Sequence, residues 1–421
     1  MNQRRHSILV GFLIGMTLPA AALAQDVQRV TLDEALRIFA ERNLELRLAR
    51  ATATEVAGLS RQASAFPNPI AYVTHENVST DALGGASLAE TYVGVNQEIS
   101  WPWRQSASGG AADHTANAAL AGIARDSLRL AFEVKQAFAG AGAAEQRTEL
   151  ILRVRDVIRD VERAGTARFD EGDISGYELR RMRMELARYE TLAAQASIEM
   201  QRIRRTLALL VLGDAEGQEL APVRTLAGLP SRPSSDFETT AVQQRPEIVA
   251  SRESALAAEN AAGFARASRF PNPTVSGAYK TQTGGFNGVF LGLSWPVPIF
   301  NGNGQAVVAN EARVEAATRR EDLARQIVLA DVRNAVVTFD AIAANGTVIS
   351  ERLLVDPETI LVIATESYGE GAMSLIELLD AAEAYWEAGQ ISIETRSRAW
   401  IAYFNLERAV GGFGSTVQEG Q

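Results

Sequence analysis

"GVFLGLSWPVPIFNGNGQ", residues 288–305, reads as a strand followed by its own stop signal. Val289, Leu291, Leu293 and Trp295 fall on one face, and Gly288, Phe290, Gly292 and Ser294 on the other. A stretch about ten residues long, apolar on one side and small or polar on the other, has the pattern of a transmembrane β-strand. A soluble hairpin with one buried face gives the same alternation. Pro296 and Pro298 at its far end fit either reading, because prolines stop helices and favour extended chain.

Working outward, the same text recurs. Residues 91–101 place Val93, Val95, Ile99 and Trp101 opposite Gly94, Asn96, Glu98 and Ser100. Partner strands are expected at 70–78 and 274–283, each following an "FPNP" (Phe66–Pro69 and Phe270–Pro273), with Gly84-Gly85 and Gly284-Gly285 in the connections. "EISWP" (Glu98–Pro102) faces "GLSWP" (Gly292–Pro296), and "RFDEGDISGYEL" (Arg168–Leu179) faces "SYGEGAMSLIEL" (Ser367–Leu378). The halves close on Leu212-Gly213 and Val410-Gly411. Anchors in one order mean a duplicated unit, and two copies are too few for a solenoid. The chain therefore divides into residues 1–24, a first repeat over 25–213, a linker over 214–245, a second repeat over 246–412, and a tail over 413–421. Four strands cannot close a barrel, since the smallest membrane barrels use eight. Strands at 70–78, 91–101, 274–283 and 288–297 that span a membrane must be pooled with other copies, so an oligomer is expected.

Composition narrows the setting. Arg4 and Arg5, the apolar run Ile8–Leu18 and the small residues of Ala22-Leu23-Ala24 form a secretory signal over residues 1–24. Its removal takes away two arginines and no acid, so the mature chain is more acidic than the formal −10 of the whole. That balance excludes nucleic acid as a partner. There is no cysteine, so an exported chain holds together without disulfides and carries no lipid-modified cysteine. No later segment has the length of a membrane helix, so any crossing uses strands.

The remainder is helix. No proline occurs from Trp103 to Ala221 or from Ile299 to Asp356. Residues 111–164 alone reach about 80 Å as a helix. Leu179, Met182, Leu186, Tyr189, Ala193, Ala196, Met200, Ile203, Leu207 and Leu210 alternate by three and four, the seam of a coiled coil.

Catalytic and metal chemistry find little material. Beyond the signal only His75 and His114 remain as histidines, and zinc sites take three or four nitrogen or sulfur ligands. Met182 and Met184 suggest copper by residue type, but Met182 belongs to the seam and reads as core. No nucleophile elbow, phosphate-cradling glycine loop or HExxH is present. The expectation is a non-enzyme with no catalytic residue, cofactor or metal site. The turns between long helices carry more signal. Gly371 permits a tight turn, Ser374 caps the next helix, and Glu377 completes a capping box, with Asp380 three residues on along the same face. Gly172, Ser175 and Glu178 are the first-half counterparts, and Arg181 stands where Asp380 does. The plain reading is that these acids cap and solvate helix starts.

The residues resemble the TolC-like outer-membrane efflux family over essentially the whole mature chain, and within it the heavy-metal cation-efflux (CzcC-type) branch. The carriers are "TLDEALRIFAERNLEL" (Thr31–Leu46), "FPNP" twice, "GLSWPVPIFNGNGQ" (Gly292–Gln305) and "YGEGAMSLIELLDAAEAYWEA" (Tyr368–Ala388). "WPWRQSAS" (Trp101–Ser108) departs from the Gly-rich basic stretch usual there. The resemblance implies a mixed fold: four strands per protomer, shared as one twelve-stranded barrel in a homotrimer, continued by a long α-helical tunnel. It implies an outer-membrane exit duct in a Gram-negative bacterium, working with a periplasmic adaptor (membrane fusion) protein and an inner-membrane RND-type pump, in contact with outer-membrane lipid. It also implies that Glu377 and Asp380 ring the periplasmic gate, and that the Tyr368 hydroxyl bonds Glu178 to keep it shut. A basic residue of that lock is replaced by Met373. Drug efflux or type I secretion would use the same architecture, and a periplasmic coiled-coil scaffold would use the seam alone.

Overall fold

The computed structural model describes residues 27–76, 89–213, 218–223, 226–234, 236–352 and 357–412. The signal segment 1–24, Val78, Gly84-Gly85, the start of the linker and the tail 413–421 lie outside the described residues.

Two sheets organise the chain. A short parallel pair joins β1 (Gln28–Val30) to β4 (Leu220–Pro222), which ties the start of the chain to the segment between the repeats. The larger sheet is antiparallel, in the order β2 (Ile70–Glu76), β3 (Glu90–Glu98), β5 (Thr274–Gln282), β6 (Asn287–Ser294). Its centre is the β3–β5 pair, so each repeat contributes one hairpin and the repeats meet strand to strand. Among the described residues, both outer strands, β2 and β6, have one edge without a partner strand. Two strands end sooner than the alternation suggests. β3 stops at Glu98 rather than Trp101, and β6 at Ser294 rather than Val297. After β3, Pro102 opens a helix with Trp101 as its N-cap. After β6, Pro296 and Pro298 have no N–H for the ladder. The two indoles turn inward instead: Trp101 Nε1 and Trp295 Nε1 both donate to the Pro271 carbonyl, each at 3.1 Å.

From the sheet, α3 (Pro102–Glu171) runs unbroken for 70 residues, roughly 105 Å at 1.5 Å per residue. It starts nine residues before Ala111 because proline is well suited to the first helical turn. The chain returns along α4 (Gly176–Leu212). In the second half α7 (Gly304–Arg352) and α8 (Pro357–Gly369) lead down and α9 (Leu375–Val410) returns. Shorter helices complete the set: α1 (Leu32–Arg42), α2 (Leu44–Ala63), α5 (Phe237–Gln244) and α6 (Pro246–Ala267). Part of the stretch read as linker is therefore structured, in β4 and α5. Asn43 links α1 to α2: its Oδ1 accepts from Leu46 N at 3.0 Å, and its Nδ2 donates to the Leu210 carbonyl at 3.3 Å.

Three apolar cores hold the helices. One lies toward the helical turns and joins Ile151, Val154 and Ile158 of α3, Met182 and Tyr189 of α4, and Leu378 and Ala382 of α9. A second gathers Val30, Phe39, Leu46, Phe138, Leu207 and Leu220 near the paired short strands. A third packs Phe237 and Ala241 of α5 on Val332, Phe339 and Leu406. The expected α4 seam is buried from Leu179 to Ala193, with Met182 fully enclosed. By the far end the buried stripe has moved to Arg204, Leu207, Ala208 and Val211, the drift of a 3.6-residue helix against a strict heptad.

Candidate functional site

The two helical turns are built alike. α3 ends on Gly172 (φ 85°), whose N–H donates to the Phe169 carbonyl at 3.0 Å while Asp173 N donates to Arg168 O at 2.8 Å. Glycine is needed there because the residue sits in the left-handed region. Ser175 Oγ accepts from Glu178 N at 3.2 Å and Ser175 N donates to Glu178 Oε2 at 3.1 Å, a complete capping box. In the second turn Gly371 (φ 78°) follows α8, and Ser374 N donates to Glu377 Oε2 at 2.8 Å, with Glu377 N returning to Ser374 Oγ at 3.4 Å. The Ser374 backbone N–H, and then its hydroxyl, hold the Glu377 carboxyl below the usual carboxylate range. Asp380 is exposed on the same helical face. One turn further, Glu383 is paired with Arg188 at 3.1 Å, while Glu370 in the turn itself and Asp170, Glu171 and Asp173 at the first turn are exposed like Glu377 and Asp380.

Tyr368 lies at the end of α8, beside the second turn. It is buried in the turn-end core with the Arg168 guanidinium 5.8 Å from its ring centroid. Burial raises the hydroxyl pKa, the Arg168 charge opposing and the Glu178 charge adding. Within the protomer the Glu178 Oε2 accepts from the Ser175 backbone and hydroxyl of its own cap rather than from Tyr368. Met373 packs at the edge of the same core.

The two remaining histidines are far from these turns and from each other in role. His75 bonds Thr91 Oγ1 on the sheet at 2.9 Å, and His114 Nδ1 meets Glu253 Oε2 between α3 and α6 at 2.8 Å. Among the described residues no group of three or more His, Cys, Asp or Glu is placed to hold a metal ion. No described helix is long and apolar enough to cross a membrane.

The sheet has two unlike faces. Val73, Val93, Tyr279 and Val289 form one cross-strand row and Ala71, Val95, Gly277 and Leu291 the next, both on the same face. Val289, Leu291 and Leu293 are 77%, 80% and 72% exposed, far beyond what a soluble protein leaves in one patch. The opposite face carries Tyr72, Gly94, Ala278 and Phe290 in one row and Thr74, Tyr92, Lys280 and Gly288 in another. A Cβ built on Gly94 would lie 2.6 Å from both Ala278 Cβ and the Gly277 carbonyl oxygen. One built on Gly277, on the apolar face, would meet only Leu291 Cδ2 at 3.9 Å. Crowding on one face and room on the other mark the Gly94 side as concave and the apolar side as convex. Sequence reading assigned the apolar face and put Phe290 opposite it, but not Tyr72 or Tyr92, nor the Lys280–Glu90 pair at 2.7 Å beside them.

Helical hairpins hung from a four-stranded antiparallel sheet are the fold this chain shares with solved outer-membrane channels. It superposes on a membrane protein from Pseudomonas aeruginosa with TM-score 0.77 at 19% identity, covering 92% of this chain and 91% of that one. On CusC, a structure described in terms of transmembrane channel formation, the TM-score is 0.75 at 18% identity, covering 93% and 96%. In sequence it is similar to the cobalt-zinc-cadmium resistance protein CzcC of Cupriavidus metallidurans, 26% identical over 393 residues, 91% of this chain and 90% of the relative. The family model for the outer membrane efflux protein matches residues 239–412. In its second half by the family model, and along nearly its whole length by likeness to CzcC, the chain is similar to the outer membrane efflux proteins.

Proposed function

We propose that three copies of this chain form the exit duct of a tripartite, proton-driven efflux system that carries heavy-metal cations out through the outer membrane. The observation that carries the reading is the open sheet: its convex apolar face is exposed and both its edges lack partners. Unpaired edges are not tolerated in lipid, which requires closure. An even number of antiparallel strands lets β6 of one copy pair with β2 of the next and keep the alternation around a ring. Three copies give twelve strands, above the minimum of eight. The long hairpins would then surround one tunnel, with the turns at its periplasmic mouth. Threefold symmetry would gather six carboxylates there from Glu377 and Asp380, a field that concentrates cations. An adaptor protein and an inner-membrane pump of the RND type are the partners this geometry serves. The heavy-metal cargo is supported by similarity to CzcC along nearly the full length of both chains. A duct needs no tight metal site, since strong binding stalls transport.

The test is restoration of resistance. In a Gram-negative host deleted for its own channel and supplied with an RND-type cation pump and its periplasmic adaptor, the chain should restore growth on cobalt, zinc or cadmium. Detergent-resistant trimers without any gain in metal resistance would overturn the cargo. A protein recovered as a water-soluble monomer would overturn the channel.

A further inference from the structure

On the concave face of the sheet, aromatic rings lie down on glycines. A Cβ at Gly94 would fall 2.9 Å from Tyr72 Cζ, and one at Gly292 would fall 3.1 Å from both Cε1 and Cζ of Phe290. Contacts this short mean that each ring occupies the space a side chain would otherwise fill. Tyr72 is on the edge strand β2 and Phe290 on the edge strand β6, in one cross-strand row with Gly94 and Ala278 between them. Phe290 also meets Tyr92 edge-on, with centroids 5.8 Å apart. Tyr92 is held upright by other means: its hydroxyl donates to Glu90 Oε2 at 2.8 Å, and Lys280 Nζ sits 5.4 Å from its ring centroid. Lys280 and Glu90 neutralise each other on this face, so the wall at this level discriminates little by charge.

We propose that Gly94 and Gly292 set the bore of the barrel by seating Tyr72 and Phe290 flat against its wall, the two rings forming the size-limiting girdle of the duct. The assignment rests on the barrel reading, which makes the concave face the lumen. Because the rings stand on the two edge strands, they line both sides of every seam between copies. Displaced from their glycines, three pairs of rings swing toward the axis. The girdle is thus a sieve that acts on size, downstream of whatever charge selection the periplasmic mouth exerts.

The absence of cysteine gives a clean measurement. Asn96 lies on the same face, one row further from the β2–β3 connection than the girdle. In full-length protein in intact cells, Asn96→Cys is labelled from outside with maleimide-polyethylene glycols of graded mass, which reads the barrel bore independently of the periplasmic mouth. Gly292 is the position to fill, since the nearest atoms to a Cβ there are the Phe290 ring and Ser276 Cβ at 3.4 Å, all side chain, whereas at Gly94 it meets backbone. Gly292→Val should lower the largest reagent that reacts, and adding Phe290→Ala should return the limit to that of the parent. Should Gly292→Val not assemble, Gly292→Ala presses a methyl on the same ring and gives a smaller shift in the same direction. An unchanged limit in assembled trimers overturns the girdle. So does a double variant as restricted as Gly292→Val alone, because the valine itself would then be the obstruction. Failure of even a small maleimide to reach Asn96→Cys in the parent overturns the barrel beneath it.

Discussion

At Glu145 a single carboxylate oxygen accepts from Arg204 Nη2 at 2.6 Å and from Arg29 Nη2 at 2.8 Å. Glu145 and Arg204 are both buried, while Arg29 is more than half exposed. The trio pins β1 to α3 and α4. A second set does similar work in the other half, where Asp331 receives Arg245 at 3.0 Å and Arg408 at 3.1 Å. Removing one member of a buried pair leaves the other charge uncompensated, at a cost of about 3–5 kcal/mol. Glu145→Leu should therefore lower the thermal midpoint of the detergent-solubilised protein sharply, and Arg29→Ala much less, since water screens most of that pair. Equal losses for the two would show that the trio is not centred on a buried charge. None of this was legible in the sequence. Partners separated by 59 and 116 residues have no common spacing, and only the fold brings them together.

Among the elements, the helix starts were legible almost atom by atom. Ser175 with Glu178 and Ser374 with Glu377 are three-residue signals, and the local geometry they imply forms regardless of the rest of the chain. Strand ends were less legible, because alternation continues through Trp101 and Trp295 while the prolines beyond them turn the chain, and the indoles go to Pro271. The cap on Glu377 also has a consequence in pH. Its folded pKa is depressed, so the stability and charge it contributes are complete above the ordinary carboxylate value of about 4.3 and are lost only as pH falls through the lower folded value. Cation preference of the reconstituted channel at low salt should accordingly persist at pH 5 and decline below the ordinary range. Asp380→Asn with Glu377→Gln should abolish it at neutral pH, the glutamine still able to cap. Reversal potentials decide the matter, and a double variant as selective as the parent would reduce both acids to caps. Added salt should blunt the difference, since charges are screened over about 10 Å at 0.1 M.

The whole molecule is a duplication that the sequence announced and the fold modified. The two hairpins do not share a register: Ile70 faces Asn96, whereas Thr274, its repeat counterpart, faces Ser294 rather than the residue aligned with Asn96. Sequence anchors outside the strands are blind to such a slip, since moving a strand by an even number of residues leaves every side chain on its own face. The face assignment is open to test on the whole assembly. Leu291→Arg puts a cation on the convex apolar face, where the membrane midplane penalises it by about 2–4 kcal/mol. Its yield of detergent-resistant trimer should fall well below that of Ser294→Arg on the opposite face. Equal yields would mean that the convex face does not meet lipid. The same sheet also decides what the cell displays. The β5–β6 connection is short, residues 283–286, and turns on Gly284 (φ 118°) and Gly285 (φ 92°), while residues 77–89 join β2 to β3. With the sheet in the outer membrane, a four-residue turn leaves an antibody or a phage little of the second repeat's hairpin to recognise. Antigenic drift in that hairpin is then confined to the turn, leaving the duct itself unchanged.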